Sequence, residues 1–297
     1  MEQTQSSDVK ALGEEMDKLT IEEGKLLDFV LPPQSKMFDE PDEKLQEQFK
    51  DLEFEKIEML KLSGNSFATS ACQWVADNVL SKCTALKKLD ISDIFTTRLR
   101  SDLPNSLKIL IDAVKDRGIE ELNLSHNAFG PDGVRSFQEF LSTCPTLKVL
   151  NVTNCGLGPK GGQMIAESLL KNESIKLEEF YASRDRLEEE GMAALSEVFT
   201  KHKSLRKIEV FQNGSKRGMK ALFKSFVVCA DTLEHVEVND NKSINRAIEE
   251  FIEFVHACKN LRFLNMSDLR MKRKNCIRVF PELVTSLQNG SKLEELQ

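Results

Sequence analysis

No apolar run in this sequence approaches the ~18 residues that a membrane-spanning helix needs. Histidine occurs four times, no CxxC pair exists and no HExxH is present, so a zinc site is not expected. The phosphate-cradling GxxxxGK(S/T) loop is missing, and the chain is not expected to bind nucleotide itself. No Ser-His-Asp or Cys-His arrangement supports a hydrolase. Basic excess is also missing: 41 Lys and Arg face 48 Asp and Glu, a net charge of −7, which argues against general nucleic-acid binding. The opening MEQTQSSDVK is polar and lacks the apolar core of a secretion signal. Seven cysteines, an odd number, read as reduced and mostly buried thiols in a cytosolic or nuclear setting.

What is there is a folded, soluble composition, 40% hydrophobic and 30% charged. At ~150 residues per domain, 297 residues suggest two domains unless the chain is a repeat array. The acidic excess is local. Residues 1–56 hold 16 acids and 7 bases, while the remainder holds 32 acids and 34 bases.

A repeat array is what the sequence holds. The pattern L-x-x-L-x-L starts at Ile57, Leu86, Ile119, Leu147, Leu177, Leu205, Leu233 and Leu261, and Leu293 opens a ninth copy. The spacings are 29, 33, 28, 30, 28, 28, 28 and 32 residues, the period of leucine-rich repeats. In L-x-L two apolar side chains share one face of a strand and the middle residue faces the other way. The middle residues, Lys61, Asp90, Asn123, Asn151, Tyr181, Glu209, Glu237 and Asn265, all carry a polar group, as a wetted inner sheet requires. Three residues past the second strand apolar stands Asn65, Asn127, Cys155, Asp185, Asn213 or Asn241, a ladder position whose side chain can bond the loop backbone. Helical patterns follow the strands, among them Ala71–Lys82, Leu103–Lys115, Gly133–Ser142, Gly162–Leu170 and Met192–Lys201. Cys83, Cys144 and Cys258 close helices at one repeat position, which marks them as core.

The predicted fold class is therefore α/β: a leucine-rich-repeat solenoid, a crescent with an inner parallel sheet and outer helices, built from about nine repeats of 28–33 residues. Residues 1–50 read as an acidic helical N-terminal cap or arm, with an amphipathic stretch over 8–30 and a second helix over 40–52. Residues 51–297 read as the repeat domain. Because the sequence stops inside the ninth strand, either truncation or a covering partner is expected there.

Function on such a scaffold lives in the loops of one rim. The longest repeat carries the loop SDIFTTRLRSDLP (92–104), where Ile94 takes the ladder place and Arg98 and Arg100 could meet an anion. Asn154 lies one residue before ladder Cys155, in register with Asp93 and His126. Arg184 and Arg186 flank ladder Asp185. Arg270, Lys272, Arg273, Lys274 and Arg278 form a basic cluster, either a solvated face or a patch for an acidic partner or phosphate.

The phrases SDIFTTRLRSDLP, SHNAFGPDGV and TNCGLGPKGG, one per repeat, closely resemble the Ran GTPase-activating proteins, as do SRDRLEEEGMAALSEVF and FQNGSKRGMKALF after them. The resemblance covers about residues 50–270. It implies an activator that binds the small GTPase Ran in its GTP form and accelerates hydrolysis, in support of nucleocytoplasmic transport. It also implies cytoplasmic localisation, including the cytoplasmic face of the nuclear envelope, a monomer, no cofactor, no metal and no membrane insertion. The family's essential loop arginine falls on Arg98. The asparagine placed to order the GTPase's catalytic glutamine falls on Asn154. Partner contacts carry over to Asp93, Asn127, Arg184, Arg186, Asn213 and Asp240. Departures are Thr97, where the family often has Gly, and His126, where it often has Asp. The competing expectation is a non-catalytic leucine-rich-repeat scaffold or a divergent pseudo-activator.

Overall fold

The computed structural model describes residues 26–297. Its strands are β1 (Leu27–Val30), β2 (Met37–Phe38), β3 (Ile57–Lys61), β4 (Ser66–Phe67), β5 (Lys88–Asp90), β6 (Glu121–Asn123), β7 (Val149–Asn151), β8 (Glu179–Tyr181), β9 (Lys207–Glu209), β10 (His235–Glu237), β11 (Phe263–Asn265) and β12 (Glu295–Leu296). Ten form one parallel sheet in the order β1-β3-β5-β6-β7-β8-β9-β10-β11-β12, and β2 pairs with β4 beside it. Neighbouring strands hold the repeat register: Leu89 sits opposite Leu122, Leu122 opposite Leu150, and Val236 opposite Leu264. All nine predicted motifs supply a strand.

The first strand is a correction. The stretch expected to end an amphipathic helix at Val30 instead forms β1, parallel to β3, with Phe29 opposite Leu60 and Val30 opposite Lys61. Leu26-x-x-Phe29-x-Leu31 is one more copy of the strand pattern, so the sheet begins upstream of residue 51. The rest of that predicted stretch, and most of the acidic arm, lies outside the described residues. The second predicted helix is shorter than expected: α1 spans Glu43–Glu47, started by the Asp42 side chain accepting from the Leu45 N–H.

One helix or helix pair follows each strand from β4 to β11. They are α2 (Thr69–Val75), which runs into a π-turn at Ala76–Leu80, α3 (Leu103–Asp112), α4 (Gly130–Val134), α5 (Gln138–Thr143), α6 (Gly158–Lys171), α7 (Glu188–His202), α8 (Gly218–Val228), α9 (Ile248–Ala257) and α10 (Arg273–Gln288). The single helix expected over 133–142 is broken. Phe137 leaves helical dihedrals (φ −127°), and its ring packs edge-on to Phe129 at 5.7 Å. Adjacent helices need about 10 Å and adjacent strands about 4.8 Å, so the stack curves with the sheet inside. The core lies between the two layers. Leu60, Leu89, Leu122, Leu150, Phe180, Ile208, Val236 and Leu264 bury fully from the sheet, and Leu107, Phe140, Leu195, Phe226 and Phe254 from the helices. Six of the seven free cysteines are buried; the Cys229 and Cys258 thiols lie 3.4–3.5 Å from a carbonyl of the preceding repeat, and the Cys144 thiol lies 3.5 Å from the Ile119 carbonyl of its own.

The ladder residues tie the turns to one another. Asn213 Oδ1 accepts from the Asp185 N–H (3.0 Å), while its Nδ2 donates to the carbonyls of Ala182 and Val210 (2.7 and 3.0 Å). Asn241 does the same one repeat later, to Asn213 N–H, Val210 and Val238. Asp185 takes N–H bonds from Cys155 (2.8 Å) and Gly156 (2.9 Å) on Oδ1, but a carboxylate has no hydrogen to give. Its Oδ2 is buried without a partner. Burial pushes the Asp185 carboxyl up to about 7, against the pull of those N–H groups.

The raised value has a sign. Between the unfolded value near 4 and about 7 the folded chain binds more protons, so Asp185 takes stability away as pH rises through that window. Asp185→Asn restores the amide and removes the titration. The expected result is a Tm gain at pH 8 that shrinks at pH 5, read by thermal denaturation. An equal offset at both pH values would show that Asp185 stays ionised in its buried site.

Candidate functional site

Two residues past the second strand apolar, every turn on one rim takes the left-handed conformation. The column is Asp93 (φ 48°), His126 (62°), Asn154 (57°), Arg184 (59°), Gln212 (56°), Asp240 (51°) and Asp268 (55°). Gly64 (φ 76°) holds this place in the turn before Asp93; the other seven are not glycine, and non-glycine residues here carry strain that the surroundings must hold in place. What holds them is the backbone: the N–H groups of Asp93, His126, Asn154, Arg184, Gln212 and Asp240 each donate to a carbonyl of the next turn, at 2.8–3.2 Å. The side chains from His126 to Asp268 are thereby left exposed in file, with Asp93 half-buried.

Side-chain bonds run along this file. Asn154 Nδ2 lies 3.1 Å from His126 Nδ1. Arg184 Nε donates to Gln212 Oε1 (2.7 Å), and Gln212 Nε2 donates to Asp240 Oδ2 (3.0 Å). The Asn154 carbonyl oxygen takes no hydrogen bond from the described residues, so it is available to accept one from outside. Thr96 Oγ1 donates to Asp93 (2.6 Å), which closes the start of the long loop.

Arg98 does something different. Its side chain is only 13% exposed and turns back into the scaffold. Nε donates to Ser66 Oγ (2.8 Å), Nη2 to the Ser66 carbonyl (2.9 Å), and Nη1 pairs with Asp39. A planar guanidinium with five donors suits this fork of acceptors. The loop needs such a tie because its ladder place is apolar. Ile94 is fully buried, gives its N–H to Asn127 Oδ1 (2.9 Å), and has no amide with which to brace β4. Thr97, next to Arg98, sits at φ 69°, a costly conformation for a β-branched residue. Arg100 lies over Gly130, where any Cβ would collide with its guanidinium.

Comparisons with known proteins find the same repeat and several similar chains. The leucine-rich repeat family model matches residues 119–137 and 143–166. A Xenopus laevis protein named Ran GTPase-activating protein 1 is 40% identical over 174 residues, 54% of this chain and 30% of its own length. A Drosophila melanogaster Ran GTPase-activating protein is 33% identical over 57% of this chain and 30% of its own. A Saccharomyces cerevisiae Ran GTPase-activating protein 1 is 28% identical over 74% of this chain and 58% of its own. Over its repeats the chain is similar to these Ran GTPase-activating proteins. It spans between about a third and three fifths of the length of these relatives.

On the repeat scaffold, the predicted site residues divide into three groups. Asp93, Asn154, Arg184, Arg186 and Asp240 lie on the loop rim, and all but half-buried Asp93 are exposed. Arg98 lies beside them but faces inward. Asn127 and Asn213 are corrected: both are buried ladder residues whose amides are used up on backbone groups, so neither side chain can reach a partner. Sequence reasoning missed Gln212, although it stands in the same register as Asn154. It also missed Asp39 and Ser66, whose link to Arg98 spans 59 and 32 residues and leaves no local trace.

Two outcomes test this geometry. Arg98→Ala should speed amide hydrogen exchange in 92–104 and in β2 and β4 while leaving β7–β10 protected; unchanged exchange in β2 and β4 would remove the tie. Thr97→Gly should raise stability by about 1 kcal/mol by relieving the positive φ, measured by chemical denaturation, and a loss of that size would mean the threonine makes compensating contacts.

Proposed function

We propose that this chain binds Ran in its GTP form along the loop rim and accelerates GTP hydrolysis, in support of nucleocytoplasmic transport. The observation that carries the reading is Asn154: an exposed amide, fixed in a left-handed turn, with a carbonyl oxygen free to accept. Phosphoryl transfer needs little covalent help from a protein. It is catalysed by positioning and by charge stabilisation. An amide has both hydrogen-bond polarities in one plane, so Asn154 can hold the side-chain amide of a GTPase glutamine and fix the water that it orients. Arg98 serves as a positioning residue. Its guanidinium is spent on Ser66, Asp39 and the β4 backbone, which fits a role in shaping the loop rather than in touching phosphate. Asp93, Arg184, Arg186 and Asp240 offer the surrounding contacts. The cytoplasm, including the cytoplasmic face of the nuclear envelope, is the proposed location, and the activator works as a monomer without a cofactor of its own.

Single-turnover hydrolysis of Ran-bound GTP at saturating activator tests the reading. The wild type should accelerate hydrolysis by several orders of magnitude. Asn154→Ala should lose about 10²-fold or more of the rate with little change in binding. An unchanged rate in the variant would remove Asn154 from the chemistry. Binding by the wild type without acceleration would leave a scaffold.

A further inference from the structure

Beyond Asp240 the rim changes character. The three loops 212–217, 239–246 and 267–274 stack into a trough of about 590 Å³. Five cationic side chains line it: Lys216, Arg217, Arg246, Lys272 and Lys274. None of them makes an ion pair with a carboxylate among the described residues, whereas Arg278 and Lys220 nearby pair with Glu249 and Glu250. One carboxylate, Glu189, also lines the trough, and it is already committed. Its Oε2 takes hydrogen bonds from Ser215 Oγ (2.7 Å) and from the N–H groups of Lys216, Arg217 and Gly218 (2.7–3.0 Å) at the start of α8. Burial pulls this carboxyl upward, but those four donors outweigh it and bring it to about 2. The helix start is thus filled by the protein's own anion, and the five cations beyond it are unspent.

Asn245 makes the trough a fixed shape. Its side-chain oxygen accepts from the Lys272 N–H and from Asn275 Nδ2 (both 2.8 Å), and its nitrogen donates to Ser243 Oγ (2.6 Å) and to the Arg270 carbonyl (2.9 Å). The loops bearing Arg246 and Lys272 are therefore clamped side by side.

We propose that this trough is a docking site for a short acidic polypeptide segment. Three neighbouring loops cover about 20 Å at the helix spacing of about 10 Å, the length of about six extended residues. The lining residues are charged or polar throughout and include no aromatic ring, the usual platform on which single-stranded nucleic-acid bases stack. The five cations lie within these three loops, so a short acidic segment can meet all of them, whereas most of a long polyanion would lie beyond the patch. The basic cluster seen in the sequence at 270–278 thereby gains partners from two other loops and a defined ligand chemistry.

Fluorescence anisotropy of a labelled deca-glutamate peptide tests the site with no GTPase present, so the result is independent of the activity proposed above. The peptide should bind, with affinity falling steeply between 50 and 300 mM salt as screening sets in (~10 Å Debye length at 0.1 M). The triple variant Lys216→Glu, Arg246→Glu, Lys272→Glu should weaken binding roughly tenfold or more. A triple Lys115→Glu, Lys171→Glu, Lys176→Glu carries the same net charge away from the trough and should bind as the wild type does, with circular dichroism confirming both folds. No binding at 50 mM salt, or equal loss in the two triples, would overturn the proposal. So would tighter binding of tripolyphosphate or of a thymidine decamer than of the peptide.

Discussion

The rim depends on one hydrogen-bond array, the buried side chains at the ladder position. A turn that leaves a parallel strand has backbone groups that water cannot reach, and they must be satisfied from within. Asn127, Asn213 and Asn241 do this with amides that accept from one turn and donate to two carbonyls. With each ladder residue pinned, the residue before it is driven to positive φ and its side chain is left outside. Structure and presentation are thus coupled, because the bonds that stabilise each turn also set out the file of side chains that a partner would meet.

The long loop is the exception that shows how strong this constraint is. Ile94 has no amide, and the loop recruits Arg98 to do from a distance what an asparagine does locally. The guanidinium reaches the Ser66 carbonyl and hydroxyl and pairs with Asp39. The small β2–β4 ribbon is thereby part of the loop's support, so the N-terminal segment bears on the rim and not only on the end of the core. Asp185 is a milder exception. A carboxyl replaces the amide, accepts three N–H groups and leaves one oxygen orphaned.

Much of the fold was legible because the repeat is written locally: strand, ladder residue and helix recur at fixed offsets, and each unit touches only its neighbours. The first strand was missed because Phe29 replaces the leucine and the segment sits among acidic residues that read as an amphipathic helix. Asn154 was legible from register alone. Asn127 and Asn213 stood at the ladder position by register, and only the family resemblance carried partner contacts onto them; their burial shows that the register was the better guide. The Arg98 tie was illegible for a different reason, since its acceptors are a backbone carbonyl, a serine and an aspartate that no local pattern marks.

The central claim is that the loop arginine acts through the scaffold. A double-mutant cycle on Arg98→Ala and Asp39→Ala, read by single-turnover hydrolysis of Ran-bound GTP, tests it most directly. If Arg98 works by fixing the loop through Asp39 and β4, Asp39→Ala alone should slow hydrolysis, and the double variant should be little worse than Arg98→Ala. If Asp39→Ala leaves the rate intact while Arg98→Ala abolishes it, the arginine reaches the reaction itself and the account is wrong.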